Sequence, residues 1–322
     1  MIRRRVRLGA AFALAISPLP TAAADMRTAM ATLEAQDARF QSIAWRLVRG
    51  NAALCAGVRP AAGLLLYDVR NFAGSADVRR ALGITGDIAI GAVAQESPAF
   101  AAGLRGGEEL VVLDGQAMAE LPPAAHPSPR IDALHDRIDL ALAKQGEITL
   151  GLPGRQLTVR GETTCAARFE LVTQGDVAQS DGRRVQVSVK ALDEIPDDAV
   201  LAALLAHELA HQLLGHAASL KALGHRRAEV RRAEREADRL TPWLMANAGY
   251  NPAAALGWVD GWVRRRDWGW LGDGTHDGPK ARKALIAAEL VAIAAHHQAG
   301  QTGPLDWRPL FDEAREHAVL RP

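Results

Sequence analysis

AVLAALLAHELAHQLLG, residues 199–215, is an apolar run broken by His207, Glu208 and His211. The run is long and lacks alternation, so it reads as a buried helix and not as a strand. Pro196-Asp197-Asp198 supplies a start with carboxylates in the first turn, and Gly215 supplies a stop. Residues four apart leave a helix on the same face, so His207 and His211 project together. Two neutral imidazoles at that spacing can hold one zinc ion. Glu208, about 100° further round, can reach a water beside the ion without being a ligand. Burying three such groups among alanines and leucines is costly unless they find partners.

A second helix, expected over 227–248, carries RRAEREADRLTPWLM at 231–245 and ends at Asn247, Gly249 and Asn251-Pro252. Glu234 and Asp238 are four apart on one of its faces. Glu234 completes a His₂Glu set that leaves the fourth position to water, as catalytic zinc requires. Asp238 is placed to accept a hydrogen bond from the outer nitrogen of a zinc-binding histidine and so fix its tautomer. Glu236 falls on another face and is expected in solvent. His216, past the terminating glycine, is expected to be structural and not a ligand.

The chain has 322 residues, a formal net charge of +1 and 48% hydrophobic residues, the make-up of about two ordinary globular domains. Near-neutral charge removes the electrostatic case for nucleic acid. Arg226, Arg227, Arg231, Arg232, Arg235 and Arg239 do cluster, but Glu229, Glu234, Glu236 and Asp238 interleave with them. Residues 1–24 read as an export signal: MIRRRVR is basic, LGAAFALAI is a short apolar core, and Ala22-Ala23-Ala24 precede Asp25. No stable transmembrane anchor is expected beyond them, since LIAAELVAIAA at 285–295 is short and carries Glu289. A periplasmic or secreted location makes a disulfide between Cys55 and Cys165 the expected state of the two cysteines.

Residues 26–50 show helical periodicity, LLLYDV at 64–69 reads as a buried strand, and ARFELV and RRVQVSVKAL read as strands joined across Ser180-Asp181-Gly182. Between about 80 and 160 lie short apolar strands, glycine turns and the helix PRIDALHDRIDLALAKQG. Trp258 and Trp262, one turn apart, are expected in the core; Trp268 and Trp270 follow closely.

SPAFAAGLRGGEELVVLDG, residues 97–115, resembles the middle of bacterial PDZ domains, except that Glu108 stands where aspartate is usual. The resemblance implies a groove where a peptide tail or strand adds to a sheet edge. Leu82-Gly83-Ile84 stands where the carboxylate-binding loop would fall. His207-Glu208-Leu209-Ala210-His211, Gly215-His216 and Glu234-Arg235-Glu236-Ala237-Asp238 resemble the gluzincin zinc peptidases that include HtpX, the CAAX prenyl proteases and the periplasmic BepA-type enzymes. A metzincin would need glycine and histidine where Leu214 and Ala217 stand. The resemblance implies one zinc ion on His207, His211 and Glu234, with Glu208 as general base. It also implies oxyanion stabilisation by His276 or Arg282, from a Thr275-His276…Arg282 segment in which Asp277 replaces the family's proline. The family's Asn-Ala pair before the edge strand is replaced by Val177-Ala178, and Val185–Val189 is the strand expected to face substrate.

The expected fold class is α+β: a mostly helical zincin-type metallopeptidase core with a small sheet, plus a PDZ-like β-rich domain. Residues 1–24 form the signal, 25–75 an N-terminal helix and strand on the core, 76–162 the PDZ-like domain and 163–322 the catalytic domain. The expected function is an exported metalloendopeptidase acting on protein or peptide substrates. The alternative is a non-proteolytic, zinc-stabilised polypeptide-binding protein, in which Glu208 would have no task.

Overall fold

The computed structural model describes residues 22–121, 127–173, 175, 178–182, 184–266, 276–299 and 303–311. Residues 1–21 of the expected export signal, Val177, Trp268, Trp270 and Thr275 lie outside the described residues. The chain is α+β, as its sequence patterns imply.

Helix α1 (Ala22–Gly50) spans about 43 Å. It is followed by the disulfide-bonded Cys55 and then by β1 (Val58–Ala61), β2 (Leu64–Asp68) and α2 (Ser75–Leu82). Next come β3 (Ile88–Val93), α3 (Pro98–Ala101), β4 (Val112–Leu113), β5 (Gln116–Ala117), α4 (Pro127–Gln145), β6 (Glu147–Leu152), β7 (Arg155–Arg160) and β8 (Glu162–Cys165). β1 pairs antiparallel with β8, Val58 opposite Cys165, and the Cys55–Cys165 disulfide lies at the same point. Everything between β1 and β8 is therefore an insert hanging from a two-stranded neck.

The insert has its own core. β2 pairs with β3, and β5-β4-β6-β7 form a four-stranded sheet. Leu66, Ile88, Ile90, Leu110, Leu113, Leu142, Ile148 and Leu150 close between these strands and α4. The sequence reading groups Leu64–Asp68 with the N-terminal segment, but β2 pairs along its length with β3 and buries Leu66 in the insert. Asp68 is fully buried there because Arg130 of α4 donates to it at 2.7 Å.

After the neck come β9 (Arg168–Val172), β10 (Ala178–Ser180), β11 (Arg184–Ser188), α5 (Val189–Asp193), α6 (Asp198–Leu213), α7 (His216–Ala222) and α8 (Arg227–Asn247). Then follow α9 (Ala254–Trp258), α10 (Arg264–Arg266) and α11 (Pro279–Gln298). β9 and β11 are not a hairpin. They run parallel, and the turn at Asp181-Gly182 joins β11 to the short β10 on its other side. The expected strand RRVQVSVKAL stops at Ser188, whose hydroxyl accepts the Ala191 N–H and starts α5.

α6 lies at the centre of the larger core. Leu201 to Ala210 are all buried, as expected of a helix that is apolar on every side. Asp197 caps it by accepting the N–H groups of Ala199 and Val200, and Gly215 at φ 68° turns the chain away at its end. α1 joins the two cores. Its Met30 packs with Val78, Ile84 and Ala89 of the insert, while Phe40, Ile43, Leu47 and Val48 pack with the α6 core. At the end of α1 a Cβ on Gly50 would meet the Asn247 carbonyl oxygen at 2.5 Å, so only glycine lets α1 and α8 approach this closely. No described helix is long and apolar enough to cross a membrane. In α11, Glu289 accepts hydrogen bonds from Arg239 at 2.6 Å and the Trp243 indole at 2.9 Å.

Candidate metal centre

α6 and α8 pack side by side and bring His207, His211 and Glu234 into one group that could hold a metal ion. His207 Nε2 and His211 Nε2 are 3.2 Å apart. Glu234 places Oε2 at 3.3 Å from the first and Oε1 at 3.4 Å from the second. Ligands of a four-coordinate ion with bonds of roughly 2.0–2.1 Å stand about 3.3 Å apart. The two imidazole nitrogens have that spacing, and Glu234 approaches each of them at it through a different oxygen.

The surroundings hold each ligand in place. His207 Nδ1 lies 3.2 Å from Asp238 Oδ1, and Arg282 donates to both Asp238 oxygens, at 2.7 and 2.6 Å. The Trp258 ring packs against His207 with centroids 4.9 Å apart and lies under the Arg282 guanidinium. Trp258 is thus a buried wall of the site, as its helical spacing with Trp262 suggests. On the other ligand, His211 Nδ1 lies 3.0 Å from His216 Nδ1, and His216 Nε2 lies 3.0 Å from Glu236 Oε2. Glu236 therefore does not project into solvent: it is drawn in by a buried histidine that itself backs a ligand.

Charge is balanced by these contacts. Burial alone would lower the His207 pKa, but Asp238 and Glu234 on its two nitrogens outweigh it and lift the imidazole to about 9. Burial would raise Glu234, yet His207, His211 and His276 hold its carboxyl well below the usual range. Burial likewise opposes Asp238, but His207 and Arg282 keep it ionised. For His216 burial wins over the Glu236 contact and lowers its pKa, which favours the neutral ring.

Glu208 is different. It is buried, burial pushes its carboxyl up, and no described side chain hydrogen-bonds to it. Burial beside a possible ligand set makes Glu208 a candidate functional carboxylate.

The other expected residues fall as follows. His276 Nε2 lies 3.2 Å from Glu234 Oε2, and its ring is half exposed at the rim. Arg282 is buried and donates through Nε and Nη2 to Asp238. Asp277, in place of proline, pairs with Arg235. Of the sheet, β11 is central, with both edges paired; the edge strand in contact with α6 is β10, so Val185–Val189 cannot offer its backbone to a substrate strand. In the insert, Gly83 adopts φ 70° and caps α2, and the N–H groups of Gly83 and Ile84 are both spent on the Arg79 carbonyl. Leu82-Gly83-Ile84 therefore offers neither of these donors to a carboxylate. The edge of β2 faces α4, where the Leu66 N–H donates to His135 Nε2 at 3.3 Å.

The contacts of His216 with His211 and Glu236, and strand β10, are the parts that sequence reasoning missed; His216 itself lies outside the ligand group, as expected. The available signal was a histidine immediately after the glycine stop, together with a second glutamate two residues beyond the ligand. No known family model matches the chain, and no curated protein matches it.

Proposed function

We propose that the protein is a zinc-dependent metalloendopeptidase of the gluzincin type that it resembles at His207-Glu208-Leu209-Ala210-His211 and Glu234-Arg235-Glu236-Ala237-Asp238. The observation that carries the reading is the buried Glu208 carboxylate beside the His207–His211–Glu234 triangle, without a partner among the described residues. A structural metal site needs the triangle but has no use for that carboxylate. This disfavours a protein that only binds polypeptide.

Zinc on His207, His211 and Glu234 would supply an acidified water and a Lewis acid for the scissile carbonyl. Glu208 takes the proton of the attacking water on its carboxylate oxygen and returns it to the departing amine nitrogen. Its raised pKa suits both halves of that exchange. The Asp238 carboxylate, 3.2 Å from His207 Nδ1, favours the proton on that nitrogen by its charge and so leaves Nε2 to ligate. To His276, half exposed beside Glu234, we assign the donation to the oxyanion; its Nε2 would turn from Glu234 to do so. β10, an edge strand against α6, presents main-chain groups to an extended substrate. The insert is a PDZ-like module, whose peptide would add along β2 by displacing His135 from the Leu66 N–H. The Cys55–Cys165 disulfide supports an oxidising compartment outside the cytoplasm, where such an enzyme would act in protein quality control.

The test is mass spectrometry of the zinc-loaded protein incubated with a peptide library, beside Glu208→Gln. New internal termini from the wild type and none from the variant are the expected result. Cleavage undiminished in the variant, or none in the wild type, would refute the proposal.

A further inference from the structure

The two ligand histidines are backed differently. His207 meets a carboxylate directly, whereas His211 meets a second imidazole. Gly215, in the left-handed region at φ 68°, turns the chain at the end of α6 so that His216, buried at 5% exposure, comes back against His211. Its far nitrogen then meets Glu236 on α8.

Proton placement along this chain has one solution compatible with ligation. The Glu236 carboxylate only accepts, so His216 Nε2 carries a proton. For His211 to ligate through Nε2 its own proton must sit on Nδ1, so across the 3.0 Å contact His211 Nδ1–H donates and His216 Nδ1 accepts. His211 is left with its lone pair on Nε2, the atom that faces His207 Nε2 at 3.2 Å and Glu234 Oε1 at 3.4 Å. Reversing the chain would put the proton on His211 Nε2 and remove it from the ligand set.

We infer that His216 and Glu236 are positioning residues for the metal centre: an imidazole–carboxylate relay that locks His211 into its one ligating tautomer. The inference rests on the metal-centre reading given above. It makes the site a doubly braced one, with Asp238–Arg282 behind His207 and His216–Glu236 behind His211. The braces come from α8 and α11 on one side and from α7 and α8 on the other.

The test uses the full chain and zinc alone as probe. Zinc affinity is measured by chelator competition for wild type, His216→Ala, His216→Gln and Glu236→Leu. The ¹⁵N shifts of the histidine rings are recorded on the metal-free proteins, and thermal melts check that each variant is folded. His216→Ala should bind zinc about 10- to 100-fold more weakly, and its His211 nitrogens should move from a single tautomer to a mixture. His216→Gln keeps an acceptor for His211 and a donor for Glu236, and should recover affinity to within a few-fold. Glu236→Leu, on the partly exposed side of α8, should shift the His211 nitrogens in the same direction as His216→Ala, and carries the test if that variant does not fold. Wild-type affinity and unchanged His211 shifts in the folded variants would overturn the relay. Failure of the wild type to bind one zinc, or binding by His207→Ala as tight as wild type, would instead overturn the metal-centre reading beneath it.

Discussion

Arg282 grips Asp238 with two parallel hydrogen bonds, Nε to Oδ2 and Nη2 to Oδ1, and both side chains are buried. The grip ties α11 to α8 and fixes the oxygen that faces His207. Removing one member of such a pair leaves the other buried and uncompensated. Arg282→Ala should destabilise the metal-free protein by about 3–5 kcal/mol in urea unfolding. Arg282→Lys keeps the charge but loses the planar fork, and should cost less. Wild-type stability for Arg282→Ala would mean that the pair does not hold the helices together.

Metal removal gives a second prediction. Zinc bound only to the folded state at about 100 times its dissociation constant stabilises by about 2.7 kcal/mol. Chelation should therefore lower the melting temperature reversibly, and zinc should restore it. Glu234→Ala should lose this response while Glu208→Gln keeps it, since Glu208 lies outside the ligand triangle. Equal responses in the two variants would contradict the assignment of ligand and base.

Asp37 governs a third. It is buried on α1, accepts a hydrogen bond from the Tyr67 hydroxyl of the insert, and burial lifts its carboxyl from 3.8 to about 6. Between those values the folded protein binds the proton more tightly than the unfolded chain. This contribution to stability is thus complete below about pH 3.8 and is lost as pH rises through about 6. The loss is on the order of 3 kcal/mol. Asp37→Asn, which still accepts from Tyr67, should unfold with a flatter pH dependence than wild type over this window and gain stability at pH 8. Identical pH profiles of urea unfolding would show that the carboxyl is not perturbed.

The disulfide carries a fourth. Cys55 and Cys165 are 110 residues apart, and a loop of that size is worth up to about 4.7 kcal/mol by chain entropy. The insert folds on a core of its own inside the loop, so the loss in a Cys55→Ser/Cys165→Ser double variant should fall below that ceiling, at about 2–4 kcal/mol. Denaturation with and without reductant measures it directly.

The ligand triangle was legible because its geometry is local. A separation of four residues on one helix sets the relation of His207 to His211, and the same separation orders Glu234 and Asp238. The disulfide was legible from cysteine arithmetic. The Glu236–His216 contact and the turn of Arg282 onto Asp238 were not, because each joins helices whose relative rotation only packing decides. β10 has three residues, too few for alternation to register, and its absence from the sequence reading made β9 and β11 look like a hairpin. Leu82-Gly83-Ile84 misled for a physical reason: a glycine that stops a helix and one that shapes an anion-binding loop look alike in sequence. Only the structure shows that the Gly83 and Ile84 N–H groups are consumed by Arg79.

Because a covalent bond from Cys55, just before β1, to Cys165, the last residue of β8, closes the base of the neck, the backbone of the insert can be severed without the molecule coming apart. A protease cutting anywhere between Cys55 and Cys165 would leave two fragments that migrate as one species until the cystine is reduced. The fragment carrying His207, His211 and Glu234 would thus stay attached to α1 after nicking.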